Sequence, residues 1–308
     1  MIDVENLSKS YSGVQAVKDI SFQVEPGEIV GFLGPNGAGK STTMRILAGY
    51  LPPTDGRVSV AGYDVIDDSI EVRKRIGYMP ENVPLYNEMR VGEYLSYRAR
   101  LKHVPGAKVR DRVEEVTQLC GLEDVSRKII GTLSKGYRQR VGLADSMVHE
   151  PDLLILDEPT IGLDPKQIRS VRELIKSLGK KHTILLSTHI LPEVEMTCSR
   201  VLIIHKGRIE ASDTPDNVMR AVRSGALRVE VKAPEKTAAD RLGEVAGVED
   251  VTVLGEKDGW CRLELFADRD HDIRDGVFEL IKKENWALRE MAPGRATLEE
   301  AFVELTQD

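Results

Sequence analysis

Gly34-Pro35-Asn36-Gly37-Ala38-Gly39-Lys40-Ser41 stands between the apolar run EIVGFL and the helix-forming stretch STTMRILAG. The pattern is G-x-x-x-x-G-K-[ST] between a strand and a helix, and the spacing has a physical purpose. Glycines let the backbone wrap closely enough for its N–H groups to point at phosphate oxygens, and the helix N-terminus adds positive potential. Lys40 is placed to reach the β- and γ-phosphates of a nucleotide and Ser41 to give its hydroxyl oxygen to Mg²⁺, with Thr42 next in the same turn. A glycine-rich turn alone would account for the glycines but not for the Lys-Ser pair.

A phosphate loop needs a metal partner at the end of a neighbouring strand, and LLILDE, residues 153–158, stops abruptly on two carboxylates. Asp157 suits a strand-end ligand for Mg²⁺ between the phosphates. Glu158 points differently because side chains alternate along a strand, which suits a base acting on the attacking water. Without the loop, the pair would read as a strand cap and a solvated acid. His189 ends a second run, TILLSTH, and the same sheet edge would bring it beside Glu158. Tyr11 is suited either to stacking on adenine or to packing in an early hairpin, and Gln23 is a weaker candidate. Ser134, in LSKGYRQR, suits the cap of a helix reaching Val148, and an exposed helix N-terminus is a second anion site. One nucleotide already has its phosphates cradled at residues 34–41, so this second site needs another reason.

The elements that must position these groups follow a rhythm. ISFQV, EIVGFLG, LLILD, TILLST and RVLII alternate with helical stretches, as in a mostly parallel sheet. Between about residues 85 and 150 strand signals vanish, and VGEYLSYRARLK and VRDRVEEVTQLCGL have helical spacing, so a helical insertion is expected. The text changes after Gly207, placing a boundary near Ser224 between domains 1–224 and 225–308. From Ala226 the pattern reads strand, helix, strand, strand, helix, strand and a last helix, the βαββαβ order of a ferredoxin-like α+β unit with nothing catalytic in it.

The 308 residues are 41% hydrophobic, enough for a large core, and the net charge of −7 argues against a nucleic-acid partner. No run approaches the roughly 18 to 20 apolar residues of a membrane span, and MIDVENLSKS lacks the look of a signal peptide, so a soluble cytosolic chain is expected. Cys120, Cys198 and Cys261 are too scattered for a metal cluster and read as reduced fillers.

The phosphate loop, LSKGYRQR, LLILDEPT, GLDP and the late STH, in this order, resemble the ATP-binding cassette of ABC transporters over about Met1 to Met219. The resemblance implies a P-loop α/β fold with an N-terminal antiparallel β part and a helical subdomain. It implies ATP and Mg²⁺ as ligands, with Gly34, Pro35, Asn36, Gly37, Ala38, Gly39, Lys40, Ser41 and Thr42 around the phosphates. Two cassettes, expected as a homodimer, would face head to tail, each presenting Ser134 and Gly136 to the γ-phosphate held by the other. By the same resemblance Tyr11 is the adenine platform, Glu158 the general base, His189 the switch histidine and Asp164 a dimer contact. The cassettes would sit at the inner face of the membrane through polytopic permease subunits. Two departures stand out. Lys135 and Tyr137 replace residues of the usual LSGGQ, and Glu81, in IGYMPENVPLY, stands where a Gln usually senses γ-phosphate. A carboxylate there can bind Mg²⁺ but cannot donate a hydrogen bond. These departures and the terminal ATLEEAFVELT are similar to the exporter branch with gliding-motility and copper-enzyme-maturation ATPases. Against a ribosome- or DNA-associated ATPase stand the single phosphate loop and the absence of long heptads. Against a non-hydrolysing regulatory module stand Lys40, Asp157, Glu158 and His189 together.

Overall fold

The computed structural model describes residues 1–222, 227–267, 272–293 and 298–306. The chain divides into two compact units, Met1–Pro215 and Asp216–Asp308; Ser224 and Ala226, where the sequence suggests the change, lie outside the described residues.

The first unit begins with β1 (Ile2–Tyr11), β2 (Val14–Val24), β3 (Ile29–Leu33) and α1 (Lys40–Leu47). Then come β4 (Asp55–Val60), β5 (Tyr63–Asp64), α2 (Ser69–Arg75) and β6 (Ile76–Met79). The helical insertion is α3 (Val91–Leu101), α4 (Val109–Leu119) and α5 (Lys135–Met147). The chain continues with β7 (Leu153–Asp157), α6 (Pro165–Leu178), β8 (Thr183–Thr188), α7 (Leu191–Thr197), β9 (Arg200–His205) and β10 (Arg208–Asp213). The helix α8 (Pro215–Val222) crosses into the second unit.

One sheet has the order β10-β9-β3-β8-β7-β6, parallel from β9 to β6 with β10 antiparallel at its edge. Its centre is wholly enclosed and mostly aliphatic, as in sheets covered on both faces: every residue of β7 and β8 is buried, Asp157, Ser187 and Thr188 included. The adjacent β3, β8 and β7 run in register, with Leu33 opposite Thr188 and Asp157 opposite Ser187. Their carboxyl ends therefore deliver the phosphate loop, His189 and Asp157-Glu158 to one edge, where open α/β sheets bind ligands. A second, antiparallel sheet has the order β2-β1-β4-β5. ISFQV belongs to this sheet, contrary to its sequence reading as part of the parallel set: Ile20, Phe22 and Val24 are buried while Ser21 and Gln23 are exposed. Both sheets share a core with α1, whose Met44, Ile46 and Leu47 are buried among their side chains, and Phe22 meets Phe32 with ring centroids 5.8 Å apart.

In the insertion, α3, α4 and α5 pack on one another and α5 also leans on β6. Arg98 of α3 and Lys102, the residue that caps its C-terminus, reach Asp145 of α5 at 2.9 and 3.2 Å. Burial pushes the Asp145 carboxyl up, but Lys102 and Arg98 more than offset this and hold it below the usual carboxylate range.

The second unit contains β11 (Leu227–Lys232), α9 (Glu235–Gly243), β12 (Val248–Lys257), β13 (Trp260–Ala267), α10 (Arg274–Lys283), β14 (Ala287–Pro293) and α11 (Leu298–Thr306). The sheet order β12-β13-β11-β14, antiparallel throughout, is the ferredoxin-like arrangement. Val229, Val231, Leu263 and Leu265 form its core with Ala238, Leu242, Val277 and Ile281. Glu230 is buried yet paired with Arg289 at 2.9 Å and Arg262 at 3.4 Å.

Candidate active site

The phosphate loop leaves β3 and turns into α1 through two positions that exclude a Cβ. At Gly34 a Cβ would lie 2.3 Å from the backbone oxygen of Ile204, and at Gly39, with φ of +111°, 2.7 Å from that of Ala16. Lys40 begins α1 and is 6% exposed. Its ammonium donates to the Gly34 oxygen at 2.7 Å and the Pro35 oxygen at 3.2 Å, and lies 3.7 Å from Glu158 Oε1. Burial lowers its pKa from the ordinary value, against the opposing pull of Glu158, Asp157 and Glu81. Ala38 is buried, and its oxygen accepts from the Gly207 N–H, tying the loop to the β9–β10 turn.

Glu158 follows β7 in the left-handed region, at φ +49°, which turns its side chain away from the direction of Asp157. It is 5% exposed; its N–H donates to Ser187 Oγ at 3.0 Å, and His189 Nδ1 lies 2.8 Å from its Oε2. The catalytic candidates Lys40, Glu158 and His189 thus meet at one carboxylate. A cavity of about 510 Å³ opens onto them, lined also by Ala16, Asn36, Gly37, Gly39, Ser41, Thr42, Glu81 and Ile161. Its size and its rim of loop backbone, cation and hydroxyls suit a nucleotide's phosphates.

Asp157 is 1% exposed, accepts from Ser187 Oγ at 2.5 Å and from Ser41 Oγ at 3.3 Å, and among the described residues forms no ion pair. A buried carboxylate served only by hydroxyls fits a cation beside it. Among the described residues no cluster of three or more His, Cys, Asp or Glu could cage a metal. Asp157 and Ser41 could instead supply two oxygens to a cation whose remaining ligands come from outside the chain.

Ser134 caps α5, accepting from the Tyr137 N–H at 3.4 Å, and Asp164 caps α6, accepting from the Gln167 N–H at 2.9 Å. Gly136 packs against Gln167 and lines, with Asp164, a separate cavity of about 290 Å³ that shares no lining residue with the nucleotide cavity. Lys135 extends over Gly162, and Arg140 covers the Tyr137 ring at 6.0 Å. Tyr11, 41% exposed with Lys9 Nζ 5.5 Å from its ring centre, does not line the nucleotide cavity either. Gln23 pairs with Asp3 across the β1–β2 hairpin, apart from the site.

Ser187, Ala16 and Ile161 are site residues that sequence reasoning missed. Ser187 had a signal: it is a polar residue inside a strand otherwise aliphatic at its centre, opposite Asp157 in the neighbouring strand. Ala16 and Ile161 carry no chemical signal and enter through the fold alone.

A parallel sheet that presents a phosphate loop, a hydroxyl-bound aspartate and a histidine-clamped glutamate at one edge defines a P-loop nucleotide hydrolase. A family model described as ABC transporter matches residues 17–161. The daunorubicin resistance ATP-binding protein DrrA3 of Streptomyces coeruleorubidus is 33% identical over 309 residues, spanning 100% of this chain and 96% of that protein. The bacitracin transport ATP-binding protein BcrA of Bacillus licheniformis is 39% identical over 211 residues, 68% of each chain. A solved dimeric structure of a post-hydrolysis state of the ATP-binding cassette MJ0796, bound to ADP and Pi, covers 70% of this chain and 98% of that one at a TM-score of 0.64 and 26% identity. The chain belongs to the ATP-binding subunits of ABC transporters. It binds and hydrolyses ATP and energises transport, in a family whose cassettes dimerise and work with membrane subunits. Among the described residues no helix is long and apolar enough to cross a membrane.

Proposed function

We propose that two copies of this chain close head to tail on two ATP molecules beneath polytopic permease subunits at the inner face of the cell membrane, driving export, with no nucleic-acid partner. The single observation that carries the reading is Glu158, buried between Lys40 and His189 at the mouth of the phosphate-loop cavity. Residues 34–42 hold the phosphates, with Lys40 on the β- and γ-phosphates. Ser41 and Asp157 would hold Mg²⁺, with Glu81 within the same cavity, and the ion would supply charge neutralisation for the phosphates. Glu158 accepts the proton of the attacking water, and His189 fixes the carboxylate that does so. Ser134 and Gly136, neither of which lines the chain's own nucleotide cavity, serve the partner's γ-phosphate; Asp164 contacts the partner and Tyr11 stacks on adenine. Export is supported by relatives named for daunorubicin resistance and bacitracin transport. The unit after Pro215 is an accessory module that regulates or contacts the dimer.

The experiment is Glu158→Gln, which keeps shape but cannot take the proton. Phosphate release should fall about 10² to 10⁴-fold while ATP binding persists, and a closed dimer should accumulate in size-exclusion chromatography with ATP and Mg²⁺. Hydrolysis near the wild-type rate would remove Glu158 from the role of base.

A further inference from the structure

Behind the pair Glu158 and His189 lies a third acid that the reading above does not use. Glu193, on α7, is 3% exposed. Its Oε2 accepts from Thr188 Oγ1 at 3.1 Å, and the same Thr188 hydroxyl accepts from the Ile190 N–H at 3.0 Å. The Glu193 N–H in turn donates to the Ile190 oxygen at 3.0 Å. These bonds close around His189, so the turn that carries the histidine is pinned from both sides by one acid and one hydroxyl.

The other carboxyl oxygen faces a different loop. Thr160 lies two residues beyond Glu158 and is fully enclosed; its hydroxyl acts on Glu193, although neither Thr160 Oγ1 nor Glu193 Oε1 makes a well-aligned hydrogen bond. The carboxyl therefore stands between the turn after β7, which carries Glu158, and the turn after β8, which carries His189. Burial raises its pKa; the Thr160 and Thr188 hydroxyls and the Arg172 charge oppose this, and Glu158 adds to the rise.

We infer that Glu193 is a positioning residue that fixes the His189 turn through Thr188 and so sets the 2.8 Å contact between base and histidine. It does not line the nucleotide cavity. Its removal loosens the alignment of the base without altering the phosphate loop, and a misplacement of about 1 Å in such a group costs on the order of 10²-fold in rate. The inference rests on Glu158 being the base.

The test compares Glu193→Ala, Glu193→Gln, Glu193→Met and Glu158→Gln in steady-state ATP hydrolysis by the full chain. Glu193→Ala should lower kcat by about 10 to 100-fold with KM for ATP within about twofold of wild type. Glu193→Gln, whose amide oxygen can still accept from Thr188, should restore kcat to within about threefold of wild type. A purely packing role would be filled equally well by Glu193→Met, which keeps the bulk without the oxygens, or would move KM with kcat; kcat restored by Met as by Gln, or KM moving with kcat, overturns the inference. So does wild-type kcat in Glu193→Ala while Glu158→Gln is dead; if Glu158→Gln itself turns over normally, it is the assignment of the base that has failed. Should Glu193→Ala not fold, Thr188→Val severs the observed link: it should lower kcat at unchanged KM, and wild-type kcat in it would overturn the inference.

Discussion

His149 lies just beyond α5, the helix that Ser134 caps, and its Nε2 is 3.1 Å from the Ile76 oxygen. A carbonyl only accepts, so the proton sits on Nε2, and Nδ1 is left buried without a partner. The ring lines a cavity of about 430 Å³ with four cations, Arg73, Lys74, Arg98 and Lys102. Burial first, then the Lys102 charge, push its pKa from 6.5 down to about 4, against the Ile76 oxygen and Asp145. Between about pH 6.5 and 4 the unfolded chain binds a proton that the fold refuses, so stability is lost as pH falls through that window. The shift corresponds to about 3 kcal/mol in full, of which about 2 kcal/mol is gone by pH 5. Replacing the ring with a non-titrating amide, His149→Gln, should flatten this component, so that the stability difference between wild type and variant changes by about 2 kcal/mol from pH 7.5 to pH 5. Both tryptophans, Trp260 and Trp286, belong to the second unit, so fluorescence marks that unit's transition and far-UV circular dichroism in urea must supply the first. Parallel pH profiles for the two proteins would refute the reasoning, because no neutral histidine would then be held at that position.

Two further perturbations address the assembly. Ser134→Arg and Lys40→Ala chains should each be inactive alone and regain part of the activity when mixed, since one site of the mixed dimer joins two intact halves; no recovery despite demonstrated heterodimers would count against a trans site. A chain ending at Val222 should still bind ATP, because the phosphate loop, both acids and His189 all precede it; loss of binding in a variant with native circular dichroism would place site residues in the second unit.

The parallel sheet was legible because its strands are short, aliphatic and uninterrupted, which is what burial on both faces demands. The antiparallel sheet was less so, although its signal was present. ISFQV alternates apolar and polar residues, the mark of a strand with one wet face, whereas IVGFL does not. Counting β-branched runs without asking for their period merged the two classes. The second unit was readable element by element since each strand and helix is bounded by turn residues, yet its order β12-β13-β11-β14 depends on pairing between distant segments that no local pattern encodes.

Chemistry at the site was legible wherever it announces itself in residue type at a fixed spacing: Lys40 and Ser41 after glycines, two acids at a strand end, a histidine after another. What sequence could not supply is depth. Thr188 and Glu193 look like an ordinary strand end and an ordinary helical glutamate, and only parallel registry of β7 and β8 turns them, with Ser187, into the support of Asp157, Glu158 and His189. The opposite case is the start of α5. There the sequence exposes a capped helix N-terminus with no phosphate to bind, and the fold sharpens the mismatch by giving Gly136 and Asp164 a cavity of their own. A helix end equipped for an anion that its own chain does not bring to it makes sense if the anion arrives on another chain, and that reasoning, rather than any single contact, links the monomer's geometry to a dimeric engine.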